Sequence, residues 1–202
     1  MTRALAVLTL LAAAAARAEA QIDYFARVGV TGSSRLVRDV LFEPIATTPG
    51  LAPGLFVGGS YPLSPRHRIG IEGALAHGSM SSSDDNPGTE DVDLGGLTTL
   101  TGMVHLEGPL AIAPLRWRVG GGLVHYMPGE ELGAFAQGGT TRYIVGAGVD
   151  FRRRSFGSWD LMISARFDYH RFTTEELRDR GFTQSQSVQR GSLSIGFARS
   201  LT

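Results

Sequence analysis

The sequence predicts an all-β protein, an eight-stranded antiparallel up-and-down transmembrane β-barrel. Three observations carry that expectation. Residues alternate apolar and polar over strand-length stretches. Connections between those stretches alternate short and long. The polar face has the composition of a crowded interior. The clearest stretch is Trp159 to Phe172, W-D-L-M-I-S-A-R-F-D-Y-H-R-F. Its odd positions Trp159, Leu161, Ile163, Ala165, Phe167 and Tyr169 are apolar, and its even positions are mostly polar or charged. Side chains alternate faces along a strand, whereas a helix of period 3.6 mixes the two sets. The apolar set spans about the 9–11 residues of a tilted strand crossing a bilayer core.

Composition and the N-terminus set the bounds. The chain has 202 residues, of which 43% are hydrophobic and 19% charged, too apolar for disorder. Formal net charge is zero, so nothing points to nucleic acid or to a polybasic membrane contact. The absence of Cys excludes disulfides, thiol catalysis and Cys-ligated metals. Arg3 followed by the apolar run Ala4 to Ala16 reads as a secretory signal peptide. Ala18-Glu19-Ala20 is the expected cleavage site, with Ala16-Arg17-Ala18 competing. The expected domains are therefore a cleaved signal peptide over 1–20 and a barrel over 21–202. No later segment has the roughly 20 apolar residues of a transmembrane helix. An exported chain of this kind spans a membrane only as a closed barrel.

The strands follow in order. The first runs from Ile22 to Gly32, with Ile22, Tyr24, Ala26, Val28 and Val30 on its apolar face and Arg27 opposite. Ser33 to Gly50 is a mixed segment broken by Pro44 and Pro49, with a short helical turn expected over Arg35 to Leu41. The second strand, Leu51 to Tyr61, carries Leu55, Val57, Gly59 and Tyr61 on one face. Pro62 to Pro65 turns the chain into the third, His67 to His77, with Ile69, Ile71, Gly73, Leu75 and His77 on the apolar side. Gly78 to Val92 reads as a polar loop. The fourth, Asp93 to Glu107, presents Leu94, Leu100, Val104 and Leu106. Gly108 to Leu115 is a turn, and the fifth, Arg116 to Met127, presents Trp117, Val119, Leu123 and Met127. After the connection Pro128 to Gly139 comes the sixth, Thr140 to Arg152, with Tyr143, Val145, Ala147, Val149 and Phe151 outward. Arg153 to Ser158 turns into the seventh, Trp159 to Phe172. Thr173 to Ser187 is the fourth long loop, and Val188 to Leu201 is the eighth strand, with Leu193, Ile195, Phe197 and Leu201 outward.

Two features place the apolar face outward. The chain contains no Lys, and its polar faces pair Arg with Asp or Glu among Gly, Ala and Ser. A soluble surface mixes Lys with Glu, whereas forked Arg–carboxylate pairs and small residues suit a narrow interior. Aromatics also sit at the ends of the apolar faces: Tyr24, Tyr61, Trp117, Phe151, Trp159 and Phe197 toward the short turns, Tyr143 and Tyr169 toward the long loops. Two such rings read as interfacial girdles.

This layout resembles the small eight-stranded bacterial outer-membrane barrels, the OmpA/OmpX-like group. The resemblance covers Ile22 to Thr202 and rests on architecture. It implies a Gram-negative outer-membrane location, lipids of that membrane and the barrel-insertion machinery as partners, a monomer, and no cofactor. Family members usually end on an aromatic that the insertion machinery reads. This chain ends Gly196-Phe197-Ala198-Arg199-Ser200-Leu201-Thr202, without one.

The candidate lumen charge network is Arg27, Arg68, Glu72, Arg118, Arg142, Asp150, Asp160, Arg166 and Asp168, with Arg116, Arg152 and Arg190 also on inward positions. Buried charges must pair, and an eight-stranded interior is just wide enough to fill with side chains. The expectation is a plug, with a narrow pore as the alternative. His77-Gly78-Ser79 faintly resembles the His/Ser pair of lipid A deacylase barrels, which suggests an outer-leaflet hydrolase as another alternative, oriented by Glu130 or Glu131. It lacks that family's Asn, since Met80 stands there. The carboxylates from Asp84 to Asp93 match no EF-hand register, so no metal site is expected. The expected function is non-enzymatic: an integral barrel with a structural or surface-interaction role, its four long loops outside.

Overall fold

The computed structural model describes residues 22–38, 45–84, 91–179, 181 and 185–201. The expected signal peptide lies outside the described residues, as does most of the carboxylate-rich loop between Asp84 and Asp93. Ten strands form one sheet: β1 (Ile22–Ser33), β2 (Val37–Arg38), β3 (Ile45–Pro49), β4 (Ala52–Pro62), β5 (Arg68–Asp84), β6 (Val92–Pro109), β7 (Leu115–Pro128), β8 (Thr140–Phe156), β9 (Trp159–Phe172) and β10 (Gln186–Leu201). All pairings are antiparallel, and β1 pairs with both β4 and β10. The β5–β6 ladder joins the two ends of that order and closes an eight-stranded barrel. Each of the eight barrel strands thereby pairs on both sides, which is the condition for a sheet to cross lipid. The small strands β2 and β3 extend the wall above β5 rather than entering the barrel.

Period-two patterning sets which way each side chain points. Along β1, Asp23, Phe25, Arg27 and Thr31 are buried while Ile22, Ala26, Val28 and Val30 are exposed. Cross-strand register then assembles an apolar belt. Val28 lies opposite Ile195 on β10 and Leu55 on β4, and Ile195 lies opposite Ile163 on β9. Val28 is 60% exposed beside Arg27 at 2%. A belt of exposed Val, Ile, Leu and Phe around a closed barrel is the inverse of a soluble protein and matches a lipid-facing wall.

Four readings of local structure need correction. The third strand does not end at His77 but continues as β5 to Asp84, because its Ser-rich end still finds ladder partners on β3 and β6. Leu94 is not on the outer face. The register slips between Ser79 and Ser81, with Gly95 at φ +82°, and that bulge turns Leu94 in to pack on the buried apolar cluster. Arg35 to Leu41 holds no helical turn among its described residues, since Val37 and Arg38 pair with Thr47 and Ala46 as strand. The turn after the sixth strand is shorter than expected. β8 runs to Phe156, and Gly157 at φ +55° supplies the left-handed residue that a tight hairpin to Trp159 demands.

The long connections also carry structure that alternation does not reveal. A 3-10 turn covers Gly133–Phe135, and a short helix, α1, covers Glu175–Asp179. Phe135 and Leu177 from these elements, with Leu36 and Val37, fold inward over the long-loop end. There they meet Met80, Leu97, Val124, Tyr126, Ile144, Phe172 and Val188 from the strands. The barrel thus holds an apolar layer at its long-loop end and a charged layer beneath it.

Candidate functional site

The inward positions of β1, β5, β7, β8 and β9 meet at the middle of the bore. Glu72 on β5 accepts hydrogen bonds from Arg27, Arg118 and Arg166. Arg118 is 2.6 Å from Glu72, and its second terminal nitrogen donates to Asp150 at 2.9 Å and to Ser164 at 2.7 Å. Arg27 lies 3.8 Å from Asp150, and Arg166 donates from Nε to Asp168 at 2.9 Å. Three guanidiniums share one carboxylate, which planar forked donors can do and a Lys ammonium does less well. The Arg27 guanidinium also lies 4.6 Å from the Phe25 ring centroid and 5.7 Å from that of Phe56. Those inward aromatics give the cation an apolar, π-faced seat. Space matters as much as charge. A Cβ at Gly146 would collide with Asp168 Oδ1, so glycine opposite Asp168 lets the carboxylate lie flat on the wall.

A second cluster lies toward the short turns. Arg152 donates to Asp23 and, from Nε, to Asp160 at 2.9 Å. Arg68 lies 3.4 Å from Asp23 and donates to Ser60 Oγ and the Ser60 carbonyl. Glu107 lies 3.3 Å from His105 and 3.5 Å from Arg116. Above the central cluster Arg190 donates to the hydroxyls of Thr99 and Thr101. Tyr126 and His170 are bonded at 2.7 Å just below the apolar layer.

The inward residues named from the sequence thus fall into two charge clusters, with two exceptions. Arg142 does not join either. It lies opposite Val124 and two residues beyond the buried Ile144, and donates to the Thr173 carbonyl at the loop rim. Arg190 meets hydroxyls rather than carboxylates among the described residues. Asp23 and Glu107 were missed. Both carried a legible signal, since Asp23 shares parity with Arg27, and Glu107 sits on inward parity with Met103 and His105. The inward Phe25, Phe56 and Met103 were missed too, because the apolar residues of those strands were read as outward, whereas Met162 lies on the inward parity expected of it.

The girdle aromatics all stand on the outer wall. Tyr24 and Trp159 pack edge to face at 6.0 Å, and Trp117 lies 6.0 Å from His67, near the short turns. Phe151, Phe197 and Tyr61 lie on the same wall. At the other end Tyr143 is almost fully exposed and Tyr169 bonds Ser187 at 3.1 Å. His77 and Ser79 share the outer face of β5, but His77 Nδ1 is engaged with Thr98 Oγ1 at 2.9 Å. His125 Nδ1 makes the same kind of pair with Thr141 at 2.8 Å. His77 makes no ion pair with a carboxylate among the described residues, so neither Glu130 nor Glu131 orients it. Two matching cross-strand His–Thr pairs are what amphipathic rings do where the lipid face meets water.

A polar cleft of about 260 Å³ lies between the third and fourth long connections, lined by Gln137, Thr140, Arg142, Thr174, Glu175 and Arg178. Gln137 bonds Asp179 across it at 2.9 Å, tying the two connections together.

No protein-family model matches the chain, and no curated protein matches it in sequence. Solved structures do resemble it in shape. The outer membrane protein OprG from Pseudomonas aeruginosa superposes with a TM-score of 0.54 at 10% identity, over 90% of this chain and 95% of that one. Neisserial surface protein A gives 0.55 at 12% identity, over 90% and 99%. The outer membrane protein AlkL, determined in lipid bilayers, gives 0.53 at 14% identity, over 90% and 91%. At such identities the shared property is the fold, and that fold is the closed eight-stranded barrel of small outer-membrane proteins.

Proposed function

We propose that this chain is an integral outer-membrane barrel with a plugged bore and no enzymatic role, acting through four long loops on the exterior. The observation that carries the reading is the Glu72 cluster. Side chains from five strands converge on it and span the interior. The apolar layer above, seated by Phe135 and Leu177, supports a bore stopped twice. A cavity of about 10 Å³ beside Arg118 and Arg166 has the volume of one water rather than of a conduit. With the bore filled, the surface left for interaction is the long-loop end, where the cleft by Arg142 and Arg178 offers a polar recess.

Planar-bilayer recording on the purified protein tests this. The expected trace is flat, without steady conductance. A stable, long-lived open state in the unaltered protein would replace the plug with a pore.

A further inference from the structure

Zero net charge conceals a sorting of exposed carboxylates along the barrel axis, while exposed arginines stand at both ends among the described residues. At the short-turn end, every carboxylate among the described residues turns toward the bore and is paired. Asp23 binds Arg152 and Arg68, Asp160 binds Arg152, and Glu107 lies between His105 and Arg116. The charges left facing outward there are Arg66, Arg153, Arg154 and Arg199. The exposed carboxylates Asp91, Asp93, Glu130, Glu131, Glu175 and Asp179 all stand at the opposite end.

Two of the arginines are built into the outer wall. Arg153 and Arg199 share the outward parity of Phe151 and Phe197, two residues further along their strands. Two strand residues advance roughly 7 Å, which carries each guanidinium just past the last lipid-facing aromatic. Arg199 lies opposite both Tyr24 and Trp159 in register, and its guanidinium is 5.5 Å from the Trp159 ring centroid. Trp159 in turn packs edge-on against Tyr24. Neither Arg153 nor Arg199 has a carboxylate partner among the described residues.

We propose that this rim binds the phosphates of anionic phospholipids in the leaflet around the short-turn end, with Arg153 and Arg199 as the contact cations. Trp159 and Tyr24 form the amphipathic platform that holds Arg199 at headgroup depth. Position selects lipid over a soluble anionic partner. Arg153 and Arg199 stand on the side wall just beyond the apolar belt, whereas a soluble partner docking end-on would meet Arg66 and Arg154 first. The inference rests on the membrane reading above and deepens it by naming a lipid class.

The test reconstitutes the full chain in bilayers of equal phosphatidylcholine and phosphatidylglycerol. Insertion is checked by flotation. The lipids retained after mild detergent extraction are then quantified by mass spectrometry. The expected result is enrichment of phosphatidylglycerol. Arg153→Gln and Arg199→Gln each reduce it by about fivefold, the equivalent of about 1 kcal/mol per arginine near an anionic surface. Arg178→Gln, in α1 above the long-loop end and beside Glu175 rather than on the wall, leaves it unchanged. Equal retention of the two lipids, or the same enrichment in the Arg153→Gln/Arg199→Gln double variant, overturns the proposal. So does enrichment lost only with Arg66→Gln and Arg154→Gln, which assigns the anion to the end face. Failure to float sinks the membrane reading itself and is read before any lipid is counted.

Discussion

Arg118 on β7 reaches Glu72 on β5 at 2.6 Å across the bore, over the intervening strand β6. The pair is therefore not a ladder neighbour but a brace between two walls. Glu72 also receives Arg27 from β1 and Arg166 from β9, so one carboxylate ties four strands that are far apart in sequence.

Glu72→Gln removes the one carboxylate that Arg27, Arg118 and Arg166 share, leaving Asp150 and Asp168 against three guanidiniums. Leaving buried cations without their partner costs roughly 3–5 kcal/mol. The expected result is a lower urea midpoint for unfolding from lipid vesicles. Adding Arg118→Met to Glu72→Gln restores part of the loss, because one stranded cation leaves with it. If the double variant is as unstable as the sum of its singles, the two residues are not coupled.

The lipid face is tested at Val28, near mid-height between Ile195 and Leu55. Val28→Arg is expected to cost about 2–4 kcal/mol, the penalty for Arg at the bilayer midplane. A water-facing Val at the same exposure would accept Arg within about 0.5 kcal/mol. The unfolding free energy in vesicles thus separates a lipid wall from a soluble one.

The apolar layer is tested at Phe135, fully buried although it belongs to a loop. Its ring packs on Tyr126 at 6.2 Å and Phe172 at 5.6 Å. Phe135→Ala is expected to cost about 3–5 kcal/mol if the surrounding layer does not collapse into the space. Faster protease cleavage between Gly129 and Gly139, with the β-sheet circular dichroism unchanged, is the expected sign. Unchanged cleavage would show that Phe135 does not anchor its loop.

Orientation is tested by epitope insertion. A tag after Glu131, in the third long connection, is expected to bind antibody on intact cells. A tag after Ser64, in the β4–β5 turn, is expected to bind only after the membrane is opened. The opposite pattern would invert the barrel and place Arg153 and Arg199 in the outer leaflet.

The sequence by itself determined the strand pattern, the closure and the outer face. Period-two alternation is a local property, and Trp159 to Tyr169 states which parity is apolar without reference to any other strand. It also placed Arg27, Glu72, Arg118, Asp150 and Arg166 on inward parity, since each sits among outward apolar neighbours. Tertiary structure decided who pairs with whom. Shear between strands sets the height of each inward residue. That is why Glu72 meets Arg118 across β6 while Arg142, on the same parity as Asp150, ends up beyond the apolar layer at the rim. It also decided the fate of the long connections. Leu36, Phe135 and Leu177 carry no periodic signal, and only the closed mouth of the barrel offers them an apolar surface on which to fold.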